Sequence, residues 1–307
     1  MREPYVAGKF YPGSKGQIVS MLEKFKESAE KEKAEGKEKV KTEENGRSAK
    51  GFRKEDKSNE PAGAFEKVGE KEEIFSCVSP HAGWSYSGFT AMHTFLALKN
   101  QEKRKKIFAI LSPNHTGFGT EISISQEDWK TPLGTAKCAK EVADSVVSFS
   151  EFAQIDEEAH RFEHSVEVQL PFLQFLFPDF SFVAITFLRQ DLETAKDIAN
   201  ALAKTEKKLK TRIQVVASSD FTHYEQAKAA REKDMEAIGA ICSLDAEKFI
   251  SLKQNLNASI CGYAPIASAM LFAELNGGKK GKLLHFSDSG EVSGDKKVVD
   301  YASIAFV

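Results

Sequence analysis

Three apolar runs in this sequence end at a serine and are followed within a few residues by an ionisable side chain. His81 follows the letters VSP, His115 follows LSPN, and Asp220 and His223 both follow ASS. Imidazole and carboxylate groups bind transition metals and transfer protons near neutral pH. A lone histidine after a strand is usually a loop residue, but the recurrence favours a site. Because parallel strands end at one edge of a sheet, we expect the four side chains to meet there.

A second group of ionisable residues lies in the segment HRFEHSVE. His160, Glu163 and His164 match the H-x-x-E-H spacing of one zinc-protease class, in which both histidines share a helix face and the glutamate is the base. The match is short and Pro171 disturbs a helix here, so it is the minor hypothesis. In the alternative interpretation His164 and Glu167 reach the pocket of the strand-ending residues, and His160 lies outside it.

The third feature is Cys261, which precedes a predicted helix with Pro265 in its first turn. The positive end of the helix dipole predicts a lowered thiol pKa and favours the thiolate, which binds metals or attacks carbon. Two roles therefore stay open for Cys261: metal ligand, or nucleophile paired with His223 or His81. Cys77 lies inside an apolar run and is interpreted as a buried, inert thiol.

The elements that must position these residues alternate between continuous apolar strands and helices. This alternation is typical of an α/β fold in which helices cover both faces of a mainly parallel sheet. His93 and His285 fall inside a predicted helix and a predicted strand, and we interpret both as packing residues. We predict strands at 74–78, 107–111, 122–124, 182–187, 213–217, 282–286 and 301–307, and helices at 89–96, 142–147, 192–202, 225–242 and 264–275.

One segment differs in composition from the rest of the chain. From Glu30 to Glu60 the sequence is mostly Lys, Glu, Gly, Ser and Asn, with Val40 and Phe52 as its large apolar residues. Such a segment buries too little apolar surface to offset the entropy of ordering it. We predict a single domain over residues 1–307, interrupted by a charged, mobile insertion at about 30–72.

Composition narrows the class of protein. The 307 residues carry a formal net charge of −2, so no global basic field favours nucleic acid. No stretch approaches the ~18 consecutive apolar residues of a membrane span. The four cysteines form no C-x-x-C pair, which is typical of a reducing compartment. We expect a cytoplasmic protein that binds neither nucleic acid nor membranes.

Short motifs along nearly the whole chain appear in the order found in one protein family. On these motifs the chain resembles the Memo family, also named AmmeMemoRadiSam system protein B. The charged insertion lies outside the resemblance. The motifs are REP and AGKFYP within 2–12, PHAGWSYSG at 80–88, SPNH at 112–115, TPLG at 131–134, EHSVEVQLP at 163–171, SSDFTH at 218–223 and CG at 261–262.

The resemblance implies a fold like that of class III extradiol dioxygenases, in which two histidines and a glutamate hold Fe(II) and another histidine is the acid/base. On that basis His81, His115 and Cys261 correspond to the metal ligands. His223 corresponds to the acid/base position, with Asp220 beside it. A cysteine in place of the carboxylate shifts the preference toward copper(I), zinc or a more covalent iron site.

Two functions of different classes follow from the resemblance. The leading one is an oxidoreductase with a mononuclear iron or copper site that admits dioxygen or a small organic substrate. Asp220, His164 and Glu167 are then candidate partners of the ligand imidazoles. The alternative is a binding module that holds a peptide or an anionic group in the same pocket, lined by Trp84. Family members also imply association with a radical-SAM protein and an AMMECR-type protein.

Overall fold

The computed structural model describes residues 1–45, 66–69, 72–101 and 106–307, without the side chains of 33–45 and 106. Within these ranges eleven strands form one sheet. The strands are β1 (Ser76–Ser79), β2 (Lys106–Pro113), β3 (Ile122–Ile124), β4 (Trp129–Thr131), β5 (Gly134–Cys138), β6 (Ala153–Ile155), β7 (Phe180–Phe187), β8 (Ile213–Ser218), β9 (His223–Gln226), β10 (Gly281–Asp288) and β11 (Lys297–Phe306).

The sheet is mixed rather than purely parallel. Its main path runs β10-β11-β1-β8-β2-β7-β3-β6, with β5 joining β4 to β7 and β9 pairing with β11. The central strands β1, β8, β2 and β7 are parallel neighbours. At the flanks, β11 is antiparallel to β1 and β3 is antiparallel to β7. The parallel centre therefore brings the carboxyl ends of β1, β8 and β2 to one edge.

Helices cover both faces of this sheet, which confirms the predicted α/β class. None of the helices in the described ranges is long and apolar enough to cross a membrane. Two single 3₁₀ turns lie at Glu158–His160 and Glu167–Gln169. The helices are α1 (Lys15–Asn45), α2 (Trp84–Lys99), α3 (Lys140–Phe149), α4 (Leu170–Leu176), α5 (Leu192–Leu209), α6 (Ala227–Cys242), α7 (Ala246–Asn255), α8 (Tyr263–Leu275) and α9 (Gly290–Ser293).

Two hydrophobic cores follow from the alternation of side chains along the buried strands. In β2, Ala109 and Leu111 face a core built with α3, α5, α6, α7 and α8. Phe108 and Ile110, one position out of phase, face a second core built with α1, α2 and α4. The two cores pack helices on both faces of the sheet. The strand ends that carry the ionisable residues are therefore held by a packed structure.

One predicted helix begins later than expected, and the predicted insertion lies largely outside the described residues. The helix predicted at 225–242 begins at Ala227, because Glu225 and Gln226 belong to β9 and pair with β11. The predicted insertion at about 30–72 falls largely on residues 46–65 and 70–71, outside the described residues. Its first part continues α1 as far as Asn45.

Candidate metal centre

The candidate site lies where β1, β8 and β2 end. His81 follows β1, Asp220 follows β8 and His115 follows β2, and these strands are adjacent and parallel in that order. Cys261 joins them from the turn that precedes α8. His164 arrives from the irregular segment between the two 3₁₀ turns. Residues distant in sequence thus share one edge of the sheet.

Three imidazoles are close enough to contact one ion, and a thiol lies beside one of them. The ring centroids of His81, His115 and His164 are 5.2, 5.3 and 4.8 Å apart. One nitrogen from each ring lies within 4.8 Å of the other two. Cys261 Sγ is 3.2 Å from His81 Nε2. Bonds of ~2.0–2.3 Å to a first-row metal place ligand atoms about 3–4 Å apart. The Cys261–His81 pair has that spacing, and the three imidazole nitrogens are near it.

The hydrogen bonds of Ser218 fix the tautomer of His81. Ser218 Oγ donates its proton to the carbonyl of Ser165 at 2.8 Å and accepts from Gln169 Nε2 at 2.8 Å. His81 Nδ1, which is 3.0 Å from the same hydroxyl oxygen, must therefore donate to it. This leaves the lone pair on Nε2, the atom that faces Cys261.

The carboxylate of Glu163 organises the other two imidazoles. It is fully buried and accepts from His115 Nδ1 at 3.0 Å and from the His115 backbone N–H at 2.6 Å. It also accepts from the backbone N–H groups of His164 and Ser165 at 2.9 and 3.0 Å and from the Ser165 hydroxyl at 2.8 Å. Carboxylates that hold the second nitrogen of a histidine are the usual support of metal-binding imidazoles.

Burial and neighbouring charges set the protonation of the cluster. Burial, with smaller effects from the other imidazoles, holds the pKa of His81 well below its usual range. Burial also lowers the pKa of His164 to about 4. Burial alone would raise the pKa of Glu163, but its hydrogen bonds to His115 and the Ser165 backbone, together with the charges of His115 and His164, outweigh burial and bring that pKa to about 2. His81 and His164 are therefore neutral near pH 7, the form that binds a metal.

His115 and Cys261 affect the pKa of each other. Burial opposes protonation of His115, but its hydrogen bonds to Cys261 and Glu163 outweigh burial and raise the pKa to about 10. The pKa of the Cys261 thiol is raised by burial and by the Asp220 charge. The expectation of a lowered thiol pKa from the helix dipole is wrong, because desolvation of the thiolate dominates. A coordinated metal would remove the thiol proton outright.

Asp220 and His223 hold different positions beside the cluster. The Asp220 carboxylate accepts from the backbone N–H groups of His81 and Ala82 at 2.8 and 3.3 Å, so it braces that turn. Its other oxygen is 3.9 Å from His81 Nε2. His223 is partly exposed and its Nδ1 donates to the Ser259 carbonyl at 2.9 Å. The Nε2 of a neutral His223 is consequently the acceptor.

The zinc-protease hypothesis for His160 and His164 is wrong for this chain. His160 ends a 3₁₀ turn, and the chain does not continue as a helix to His164. The buried His160 ring is bound to the Ser123 carbonyl and the Thr186 hydroxyl, both at 3.2 Å. Sequence reasoning considered Glu163 only as the base of that motif and missed its role beside His115. The sequence feature that could have indicated this role is the position of Glu163 next to His164.

Glu167, expected in the pocket, binds the N-terminal segment instead. Its buried carboxylate accepts from Arg2 at 2.7 Å and from the Tyr11 hydroxyl at 2.9 Å. The backbone N–H groups of Tyr5 and Val6 donate to it at 2.9 and 3.0 Å. The two other guanidinium nitrogens of Arg2 donate to the carbonyls of His160 and Glu163. These hydrogen bonds attach the N-terminal segment to the loop that carries Glu163.

Trp84, also expected to line the pocket, is a core residue. Its ring packs against Tyr11 and Phe172, with centroids 5.5 and 4.5 Å away. Its indole N–H donates to the Val168 carbonyl at 3.2 Å. With every polar atom of its side chain engaged and its ring 2% exposed, Trp84 has no surface to offer a ligand.

Comparison with known proteins agrees with these motifs. The family model described as Memo-like protein matches residues 53–305. A MEMO1 family protein of Methanosarcina mazei is 38% identical over 307 residues, covering 99% of this chain and 98% of the relative. One from Nitrosopumilus maritimus is 36% identical over 310 residues, with both chains fully covered.

A solved structure supports the fold independently. The crystal structure of an uncharacterized protein from Escherichia coli K12 is similar with a TM-score of 0.52, covering 76% of this chain and 100% of that chain. Because the two sequences are only 14% identical, this likeness bears on the fold and not on the chemistry.

Proposed function

Because the chain belongs to the Memo family, we propose that it is a redox protein with one mononuclear metal centre at the carboxyl edge of its sheet. His81, His115 and Cys261 would hold the ion, with His164 as a fourth donor within reach. The observation that carries this proposal is the convergence of three imidazoles to within 4.8 Å, beside a thiol 3.2 Å from one of them.

The donor set favours iron or copper. Imidazole suits iron, copper and zinc, and the soft thiolate of Cys261 adds preference for copper(I) or a covalent iron site. Each ligand imidazole has its Nδ1 held by the protein, His81 by Ser218 and His115 by Glu163, so Nε2 remains for the ion. Bound iron or copper would supply one-electron chemistry, which these side chains lack.

The residues around the ligands supply proton handling and position. His223 is partly exposed, and its Nδ1 is held by the Ser259 carbonyl, so its Nε2 can take a proton from a substrate or return one. Asp220 holds the turn that carries His81 and keeps that imidazole in register with Cys261. We propose a small organic molecule as the substrate class.

Elemental analysis of protein purified anaerobically without a metal-affinity tag tests the proposal. We expect about one equivalent of iron or copper in the wild type, and its loss in His115→Ala and Cys261→Ser. Cys138→Ser is the matched control, because Cys138 is also a partly buried free thiol but lies outside the cluster. Absence of metal from the wild type after anaerobic reconstitution would overturn the proposal.

A binding module is the second candidate, and exposed aromatic side chains favour it. Tyr86 and Tyr224 are exposed and lie close in sequence to the site residues His81 and His223. Such rings commonly form the contact surface for peptides. Peptide binding that persists after chelation of metal would favour this function over redox chemistry.

A third role, Cys261 as a nucleophile, has less support from the geometry. Burial raises the pKa of its thiol, so little thiolate is present without a metal. Iodoacetamide should therefore label Cys261 slowly in metal-free protein. Rapid stoichiometric labelling would support the hypothesis that Cys261 is a nucleophile.

A further inference from the structure

A second group of metal-binding side chains lies on α1, α2 and β10, and it shares no residue with the first centre. It consists of Glu32 on α1, His93 on α2 and His285 on β10, and we call it the α1 cluster. One ligand atom from each residue lies within 4.8 Å of the other two. Two imidazoles and a carboxylate are a common ligand set for zinc and for related divalent ions.

The two imidazoles of the α1 cluster are packed face to face. Their centroids are 4.4 Å apart and their planes differ by 17°. The ring of Phe89 meets both edge-on, at 5.0 Å from His93 and 5.1 Å from His285. Because an ion binds in the plane of an imidazole ring, one of the two rings must turn out of this packing before both can bind the same ion.

Both imidazoles present Nε2 to the same carboxylate. Glu32 Oε2 is 3.4 Å from His93 Nε2 and 4.0 Å from His285 Nε2. The Nδ1 of His285 is held by the Thr90 hydroxyl at 2.9 Å. Thr90 in turn contacts the Ser287 hydroxyl at 2.6 Å, so His285 has the kind of outer support that metal-binding histidines have.

We propose that Glu32, His93 and His285 form a second metal site, for a divalent first-row transition ion of the zinc class. Three protein ligands leave one position open on a tetrahedral ion. Bonds of about 2.0–2.1 Å place tetrahedral ligand atoms about 3.4 Å apart, so the cluster must close slightly. Glu32 can move inward because its side chain is 47% exposed, and one of the two nearly buried imidazoles must turn as well.

The ion would join three elements that are far apart in sequence. Glu32 lies on α1, which packs on α2, and His285 lies on the sheet beneath. A bound ion would therefore link α1 to α2 and β10 and would stabilise the folded state increasingly as its free concentration rises above its Kd.

Equilibrium dialysis of the chelator-treated chain against Zn²⁺ tests the site by stoichiometry. We expect two equivalents in the wild type and one in Glu32→Gln and in His285→Asn. Glu30→Gln is the matched control, because it makes the same charge change on the same helix and should keep both. His115→Ala should lose the ion of the first centre and keep the one at the α1 cluster, so the two sites fail separately.

Thermal unfolding provides a readout that does not depend on counting ions. Zn²⁺ at about 100 times the Kd of each site should raise the Tm of the wild type and of Glu30→Gln by about 8 °C, about half of it through the α1 cluster. Glu32→Gln should show a clearly smaller rise. Equal Zn²⁺ stoichiometry and equal Tm shifts in Glu32→Gln and Glu30→Gln would overturn the proposal, whatever happens at the first centre.

Discussion

Glu163 and Glu167 lie on the same segment and are both fully buried, yet they face different partners. Glu163 accepts hydrogen bonds from His115, from Ser165 and from the backbone of His164, so its charge is spread over the candidate centre. Glu167 is paired with the Arg2 guanidinium. The comparison teaches that the role of a buried carboxylate is set by the groups that face it. Glu163 orients an imidazole of the candidate centre, and Glu167 attaches the N-terminal segment to the rest of the fold.

Replacing Glu167 should have the largest effect on stability. Glu167→Gln leaves Arg2 charged and buried without its counter-ion, and such losses cost about 3–5 kcal/mol. Denaturant unfolding of the metal-free protein would measure the change. The fraction that folds should keep its metal content. Reduced metal content with unchanged stability would reverse the roles assigned to the two glutamates.

Acid should destabilise the folded protein in part by protonating Glu163. Its pKa is about 2 in the folded protein, below the ordinary value of 4.5. The folded state therefore binds fewer protons there, and Glu163 stabilises it above about pH 4.5. That contribution, about 3 kcal/mol, is lost as the pH falls from 4.5 toward 2. Unfolding curves between pH 2 and 6 should show a weaker acid dependence for Glu163→Gln than for wild type.

Metal affinity should respond to Glu163 and not to Glu167. Glu163→Gln keeps the shape but removes the charge that supports His115, so we expect a 10–100-fold loss of affinity. Competition with a chromogenic chelator would measure it. The same change should lower the pKa of His115 from about 10 in the metal-free protein, which NMR titration would follow. Unchanged affinity would mean that Glu163 acts only in folding.

The smallest effects come from removing one hydroxyl donor from each carboxylate. Tyr11→Phe takes a donor from Glu167, and Ser165→Ala takes one from Glu163. Each should cost about 1–2 kcal/mol of folding free energy. Only Ser165→Ala should also weaken metal binding, by roughly two- to fivefold. Equal effects of both variants on metal affinity would remove the distinction between the two regions.

The sequence was sufficient for the strand endings but not for the choice between the glutamates. Buried parallel strands form continuous apolar runs, so the ends that carry His81, His115 and Asp220 could be identified. Their common edge then followed from parallel pairing. Glu163 and Glu167 lie in an irregular stretch where no period relates sequence position to direction, and Arg2 is a partner too distant for local reasoning to find.

Local sequence patterns also could not predict the short strands or the α1 cluster. The hairpin β4–β5 and the strands β6 and β9 are three to five residues long and depend on pairing with distant segments. His93 and His285 were interpreted as packing residues, since nothing in sequence relates a mid-helix histidine to a strand histidine. Only the fold places them face to face below Glu32.

The ion pair between Arg2 and Glu167 has a consequence for the order of events during synthesis. Its partners are separated by 165 positions. At translation rates of ~5–20 residues per second, Arg2 waits about 10–30 s before Glu167 exists. The first-made segment therefore cannot dock until more than half of the chain has been made. Until then the loop that carries Glu163 lacks the hydrogen bonds that Arg2 donates to the carbonyls of His160 and Glu163.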